Sequence, residues 1–126
     1  MNRLFRVRLL KKGGCVLSIE IDLHSLGASD NLPYNIDKYF RSDPGTCLLR
    51  LPLLINTRAR SDGIANAAHL MRAAYEGRYP VRAAVTVCPF AGNDFLVEDG
   101  NSTVLNAIAS GWPDILCKIQ LSEPTG

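Results

Sequence analysis

The sequence predicts an α+β fold, in which a small mixed β-sheet packs against two or three helices and is preceded by an N-terminal β-hairpin. Three observations predict this fold: two alternating segments near the N-terminus, two segments with apolar residues at helical spacing, and strand-like apolar segments around those helices. The length of 126 residues suits one domain with a hydrophobic core of its own.

The two N-terminal segments, residues 4–10 and 15–23, alternate between apolar and polar side chains and predict a hairpin that turns at KKGG. A loop of three residues centred on Gly13, with a glycine in a left-handed conformation, keeps the arginines and the isoleucines on separate faces. A loop with an even number of residues would mix them on one face. The arginines are therefore interpreted as ion-pair partners in preference to nucleic-acid contacts. The cross-strand pairs predicted are Arg6 with Glu20 and Val7 with Ile19.

Two further elements are predicted before the long helix. Residues 33–40, PYNIDKYF, are consistent with a short helix that carries aromatic side chains. Residues 47–56 form an apolar run, and Pro52 places that run at a sheet edge or at a bend because proline cannot donate a backbone hydrogen bond.

The clearest helix is predicted over residues 63–76, where apolar side chains recur at i, i+3, i+4 and i+7. Ser61 or Asp62 is expected to cap its start, and Gly77 to end it. A strand is predicted over residues 81–88, which are rich in valine, and the PFAGND sequence after it is expected to be a hairpin turn.

A strand, a turn and a helix are predicted from residues 95–111. The apolar segment at 95–97 ends at the breaker sequence EDGN, and apolar residues then recur at helical spacing behind the capping candidates Asn101 and Ser102. A strand over residues 115–121 follows. The start of a helix favours an anion because its first N–H groups are unpaired and the helix dipole is positive there. Many such turns only cap a helix, so both interpretations stay open at this point.

Composition limits the class of protein. The hydrophobic share of 47% and the charged share of 21% are those of a globular domain, and a net charge of +2 does not call for a nucleic-acid partner. The sequence has no signal-peptide pattern and no apolar run that approaches the roughly 18 residues of a membrane span. We expect a cytoplasmic protein without membrane contacts.

The cysteines are far apart in sequence and form no CxxC pair, so neither zinc nor haem is expected as a cofactor. Each of them lies in an apolar or strand-like run, which predicts buried free thiols. They are Cys15, Cys47, Cys88 and Cys117.

Residues 48–121 resemble the ParB/sulfiredoxin-like fold, the domain shared by the N-terminal part of ParB partition proteins, ParB-like nucleases and sulfiredoxin. The resemblance lies in the order of the pieces: LLINTRAR, a helix that ends in a glycine and YPV, a hairpin, and then VEDGNSTVLNAIASGWPDILCKI. It divides the single domain into a core at residues 47–121 and an N-terminal elaboration, the hairpin and short helix of residues 1–46.

The resemblance implies a site at the acid-glycine turn, because members of the family bring this turn to a nucleotide phosphate. Members bind, hydrolyse or transfer groups from nucleoside triphosphates, or act on DNA. The implied phosphate-binding residues are Gly100, Asn101, Ser102 and Thr103, with Arg58 or Arg60 from the earlier strand. The implied catalytic residues are Glu98 and Asp99, of which Asp99 is the candidate ligand of a magnesium ion that accompanies ATP or CTP.

Two positions depart from the family pattern. Sulfiredoxins have a reactive cysteine where this chain has Asn101, so sulfinic acid reduction is not expected. Many members have a His-Arg pair or another basic residue where this chain has Ser102 and Thr103.

The sequence supports two main hypotheses. The first is a nucleotide- or phosphate-binding ParB-like domain, a magnesium-dependent nucleoside triphosphatase or nuclease that acts in DNA partition, transfer or regulation, for example of a plasmid or mobile element. The second is a regulatory module without catalysis that binds DNA or protein and keeps only the fold. A third is an interaction protein that exposes the edge of its N-terminal hairpin. The arginines that would contact DNA are Arg72, Arg78 and Arg82, together with Arg58 and Arg60.

Overall fold

The computed structural model describes residues 3–121 and has an α+β fold with an N-terminal β-hairpin, two sheets and two α-helices. Both helices lie in the C-terminal two thirds of the chain, and each follows a short strand. The strands are β1 (Phe5–Leu10), β2 (Val16–Ile21), β3 (Thr46–Arg50), β4 (Leu54–Ile55), β5 (Val85–Pro89), β6 (Phe95–Asp99) and β7 (Asp114–Ile119), and the helices are α1 (Ser61–Tyr75) and α2 (Asn101–Ala109).

The hairpin has the predicted register. Arg6 pairs with Glu20 and Val7 with Ile19, and the Lys11 N–H donates to the Cys15 carbonyl oxygen at 2.6 Å. That bond closes a three-residue loop centred on Gly13, whose φ is 92°. The predicted loop is confirmed, because only this register keeps the arginines off the face that packs on α2.

The larger sheet has the strand order β3-β7-β5-β6-β4 and mixes parallel and antiparallel pairs. Its two edge strands, β3 and β4, are joined by the 3₁₀ helix Leu51–Leu53 alone. A flat sheet of five strands would separate its edges by roughly 19 Å, whereas three residues of 3₁₀ helix advance only about 6 Å. The sheet must therefore curl, and Pro52 lies at the bend between two edge strands, as predicted.

The hairpin is joined to this sheet through Asn56. The Leu10 N–H donates to the Asn56 carbonyl oxygen, and the Asn56 N–H donates to the Arg8 carbonyl oxygen, both at 2.8 Å. Arg8 also forms a bidentate ion pair with Asp94, in which Nη1 donates to Oδ1 at 2.9 Å and Nη2 donates to Oδ2 at 2.8 Å. The N-terminal hairpin is thus attached just after β4 by a single β-bridge, between Leu9 and Asn56.

Helix α2 lies at the centre of the molecule, between two apolar clusters. Val104 and Ala107 pack in the larger cluster under the sheet, and Leu105 and Ala109 pack in a smaller one with Phe5 of the hairpin. Every one of these four helix residues is fully buried. Burial on both sides fixes the position of α2, and therefore of the turn from which it starts.

The helix predicted over residues 33–40 is wrong in extent, because only Ile36–Lys38 form a 3₁₀ turn. The chain after it is held in a strand-like bridge: the Arg82 N–H donates to the Tyr39 carbonyl oxygen at 2.9 Å, and the Arg41 N–H donates to that of Arg82 at 2.8 Å. These bonds occupy the Tyr39 carbonyl oxygen and the Arg41 N–H, both of which a longer helix would need. The strand predicted over residues 81–88 is likewise reduced to β5 and the single bridge at Arg82.

The predicted caps of α1 are also wrong, because the helix begins at Ser61 and its N-cap is Arg60. Arg60 makes no side-chain capping hydrogen bond. The C-terminal end of α1 agrees with the prediction, since Gly77 follows it with φ of 77°. Within residues 3–121, no helix has both the length and the apolar character needed to cross a membrane.

The four cysteines are free thiols, but only Cys88 and Cys117 are buried. Cys15, beside the hairpin loop, and Cys47, on the edge strand β3, are exposed, so the prediction of burial is wrong for these two. An apolar run on an edge strand has one unpaired side, which leaves its side chains more accessible than those of a central strand.

Candidate functional site

A β-bulge brings the two carboxylates at the end of β6 to the same cleft. Asp99 pairs with Thr86 and Val97 with Val87, so Glu98 is the extra residue on β6. In a regular strand Glu98 and Asp99 would point to opposite faces, and an inserted residue breaks that alternation. Both residues line one cleft. The strand was predicted to end at residue 97, but its pairing with β5 continues to Asp99.

The turn from β6 into α2 requires Gly100. Its φ is 103°, and a Cβ atom at this position would lie 3.1 Å from Cγ2 of Val85. Gly100 is the N-cap of α2, and no side chain of the described chain caps this helix, so the predicted caps are wrong. The N–H groups of the first turn have no acceptor within the helix, and they present its positive dipole end to the cleft.

The Asn101 side chain points away from solvent and holds the start of α2 to the end of β4. Its Oδ1 accepts hydrogen bonds from the Thr57 N–H at 2.8 Å and from Asn56 Nδ2 at 3.0 Å, and its Nδ2 donates to Thr57 Oγ1 at 3.0 Å. Only 6% of Asn101 is exposed. The side chain is committed to the fold, so a ligand contact from this residue would come from the backbone N–H.

The opposite wall of the cleft is one stripe of α1, formed by Gly63, Asn66, Ala67 and Leu70. A Cβ atom at Gly63 would lie 3.0 Å from Ser102 Oγ. The first turns of α1 and α2 are therefore neighbours, and the absence of a side chain at Gly63 keeps the space between them open.

Two arginines complete the lining. Arg58 follows β4 and is exposed, and Arg82 reaches in from the bridge before β5. Nη1 of Arg82 donates to Thr103 Oγ1 at 2.8 Å, and Thr103 is only 1% exposed. The buried Thr103 hydroxyl thus fixes one nitrogen of the Arg82 guanidinium group at the cleft. This pairing could not be predicted from the sequence, because Arg82 and Thr103 belong to separate elements.

The cleft is open and has a volume of about 500 Å³. The formal charges of its two arginines and two carboxylates balance. A preference for anions therefore depends on the helix N–H groups and on any cation that neutralises the acids. The lining residues are Arg58, Gly63, Asn66, Ala67, Leu70, Arg82, Glu98, Asp99, Gly100, Asn101, Ser102 and Thr103.

A second, more apolar pocket of about 240 Å³ adjoins the cleft. The two share Leu70 and Arg82. Tyr79 lines the second pocket and is 51% exposed, and Met71 and Ala74 of α1 form its floor. An apolar group attached to an anion in the cleft would thus find an aromatic surface beside it.

The other arginines named from the sequence lie elsewhere. Arg60 is the N-cap of α1 and is not among the described residues that line the cleft. Arg72 donates to the Asn31 carbonyl oxygen at 3.0 Å, and Arg78 donates to Glu76 at 3.0 Å. Sequence reasoning missed Gly63 and Asn66, although their spacing with Leu70 along one face of α1 was available as a signal.

Residues 3–121 contain no cluster of three or more His, Cys, Asp or Glu side chains arranged to hold a metal ion. Glu98 and Asp99 could still provide one or two ligands. Magnesium in phosphate sites commonly takes one or two carboxylates and completes its shell with phosphate oxygens and water. The residues present fit that kind of ion.

No protein-family model matches the chain, and neither a curated protein nor a solved structure matches it significantly. The function must therefore be inferred from the chemistry of the cleft.

Proposed function

We propose that the cleft between α1 and the β6–α2 turn binds the phosphate groups of a nucleotide. The observation that carries this proposal is that two helices begin side by side in a cleft that two arginines also line. Helix N-termini bind phosphate through their unpaired N–H groups and their positive dipole end. The first turn of α1 contributes less, because the Gly63 N–H already donates to Asp62 Oδ1 at 2.9 Å. Helix α2 is the main donor in this proposal.

Arg82 is the side chain best suited to hold the phosphate. A guanidinium group can give two parallel hydrogen bonds to one phosphate, and its affinity is greater when its orientation is fixed beforehand. The bond to Thr103 provides that orientation at 2.8 Å. Arg58, which also lines the cleft, would add a second positive charge.

The adjoining pocket favours a nucleotide over free phosphate. Tyr79 offers a half-exposed ring, and the floor formed by Met71 and Ala74 is apolar. Bases bind to such surfaces by stacking, which depends little on base identity. The pocket shares Arg82 with the cleft, as a base linked to a bound phosphate would require.

The carboxylates indicate hydrolysis of a phosphate ester or anhydride as the reaction. Glu98 and Asp99 would hold a magnesium ion bound with ATP or CTP, or orient the attacking water. Magnesium at this place would supply Lewis-acid polarisation of the phosphoryl oxygens. The resemblance of residues 48–121 to the ParB/sulfiredoxin-like fold supports the same reaction class. The process in which the reaction would act is DNA partition, transfer or regulation.

Binding is tested by thermal unfolding of the full chain with ATP or CTP, each with and without magnesium, since a ligand of the native state raises the unfolding midpoint. Arg82→Gln should weaken binding about tenfold or more, because a charge-assisted hydrogen bond contributes about 1.5–3 kcal/mol. Arg78→Gln is the matched control, because Arg78 pairs with Glu76 outside the cleft. A midpoint that no nucleotide moves, or an equal loss in both variants, would contradict the proposal and leave the DNA- or protein-binding module.

Catalysis is tested separately by phosphate release from ATP or CTP. Asp99→Asn and Glu98→Gln should retain nucleotide binding and lose turnover, and a magnesium chelator should abolish turnover in the wild type. Turnover that survives both substitutions would remove the carboxylates from the mechanism.

A further inference from the structure

Two cysteines face each other across neighbouring strands. Cys47 lies on the edge strand β3, and its directly opposite partner on β7 is Cys117. Opposite residues of an antiparallel pair project from the same face, with Cβ atoms about 4.5–5.5 Å apart. A disulfide needs a Cβ separation of about 3.5–4.5 Å. A small approach of the edge strand is therefore enough to join the two sulfur atoms.

The two thiols differ sharply in access. Cys47 is exposed at the sheet edge, whereas Cys117 is 0% exposed and lies between Cys47 and Val85 of β5. Burial raises the pKa of the Cys117 thiol to about 12, and the neighbouring Cys47 acts in the same direction. A reagent in solution must therefore react first at Cys47.

We propose that Cys47 and Cys117 are a reversible thiol-disulfide pair that is oxidised by low-molecular-weight disulfides. The Cys47 thiolate attacks one sulfur of the small disulfide, forms a mixed disulfide and expels the first thiolate. Cys117 then attacks Sγ of Cys47, expels the second thiolate and transfers its proton to that leaving group. The protein loses two protons and two electrons, one S–S bond forms between β3 and β7, and the reagent is reduced to two thiols.

The product would tie the edge strand covalently to its neighbour. Among residues 3–121, β3 pairs only with β7, so its position depends on that single ladder. A bond from Cys47 to Cys117 closes a long loop of the chain, and such closure restricts the unfolded state. Oxidation should raise the unfolding midpoint. The inference is independent of the nucleotide proposal.

Cys15 provides a matched internal control. It is also an exposed free thiol, but its neighbour across the hairpin is Lys11. Oxidation of the two exposed cysteines should therefore end differently: Cys15 should keep the reagent as a mixed disulfide, and Cys47 should release it.

The test is incubation of the full chain with glutathione disulfide, followed by intact mass measurement and peptide mapping without reduction. We expect a glutathione adduct on Cys15 and an internal Cys47–Cys117 cross-link that dithiothreitol reverses. Cys47→Ser, a surface change, should abolish the cross-link and leave the Cys15 adduct unchanged. A stable adduct on Cys47 with Cys117 unmodified would overturn the inference, as would cross-links that join two chains.

Discussion

Asn101→Ala should destabilise the protein without directly removing a ligand contact. The substitution deletes four side-chain hydrogen bonds, one of them a long bond of 3.4 Å from the Arg58 N–H, and it leaves the Thr57 N–H without an acceptor. A donor left without a partner costs about 1–3 kcal/mol, and each of the two bonds of 3.0 Å contributes about 1 kcal/mol. The two side-chain partners are not left unpaired. Asn56 Nδ2 still donates to the Asn101 carbonyl oxygen at 3.2 Å, and Thr57 Oγ1 still donates to the Val97 carbonyl oxygen at 2.9 Å. The higher helix propensity of alanine offsets about 0.5 kcal/mol of this loss in the free energy of unfolding.

The net loss in the free energy of unfolding is therefore about 2.5–4.5 kcal/mol. Urea unfolding measures it, provided that the slope against denaturant concentration is unchanged. Ser102→Ala, at the next residue, is the control and should change the free energy by less than about 0.5 kcal/mol. A wild-type free energy of unfolding in Asn101→Ala, with nucleotide binding abolished, would refute the structural role and make the side chain a ligand contact.

Gly100→Ala should cost roughly 2–3 kcal/mol, because alanine is strained at positive φ and its methyl group would meet Val85; wild-type stability in urea would contradict this. Gly63→Ala gains up to about 1 kcal/mol of helix propensity and crowds Ser102. Its melting temperature should stay close to that of the wild type while nucleotide affinity falls, and unchanged affinity would show that the space between the helix starts is not used. Burial raises the pKa of Tyr39 to about 12 from 10.0 and that of Cys117 to about 12 from 9.0. Both shifts favour the neutral form in the folded state, so their stabilisation is complete below pH 9 and is lost as the pH rises towards 12. Tyr39→Phe should reduce that alkaline loss in unfolding experiments across this range, and a loss as steep as in the wild type would contradict the assignment.

The features that were predicted correctly depend on local sequence. The hairpin register follows from alternation and from the parity of one loop, so Arg6 and Glu20 could be paired without any knowledge of the rest of the chain. The position of Gly100 between a strand and a helix was likewise visible, because a breaker sequence separates two different apolar periods.

The features that were missed depend on contacts between distant segments. Nothing near Asn101 in sequence shows that its side chain is taken up by Asn56 and Thr57, and this pairing is why it does not cap the helix. The bulge at Glu98 is a mismatch between two strands and has no signature in one of them. Arg82 lines the cleft from a backbone position that is bridged to Phe40, which belongs to the N-terminal third of the chain.

The central claim is that the first turn of α2 binds phosphate. The most direct measurement is a titration of ¹⁵N-labelled protein with ATP and magnesium, followed by amide chemical shifts. The largest and saturable shifts are expected at the N–H groups of Asn101, Ser102 and Thr103, with a smaller one at Gly63. Inorganic triphosphate should move the same amides and leave that of Tyr79 unchanged. Shifts confined to other surfaces, or none at millimolar nucleotide, would contradict the account.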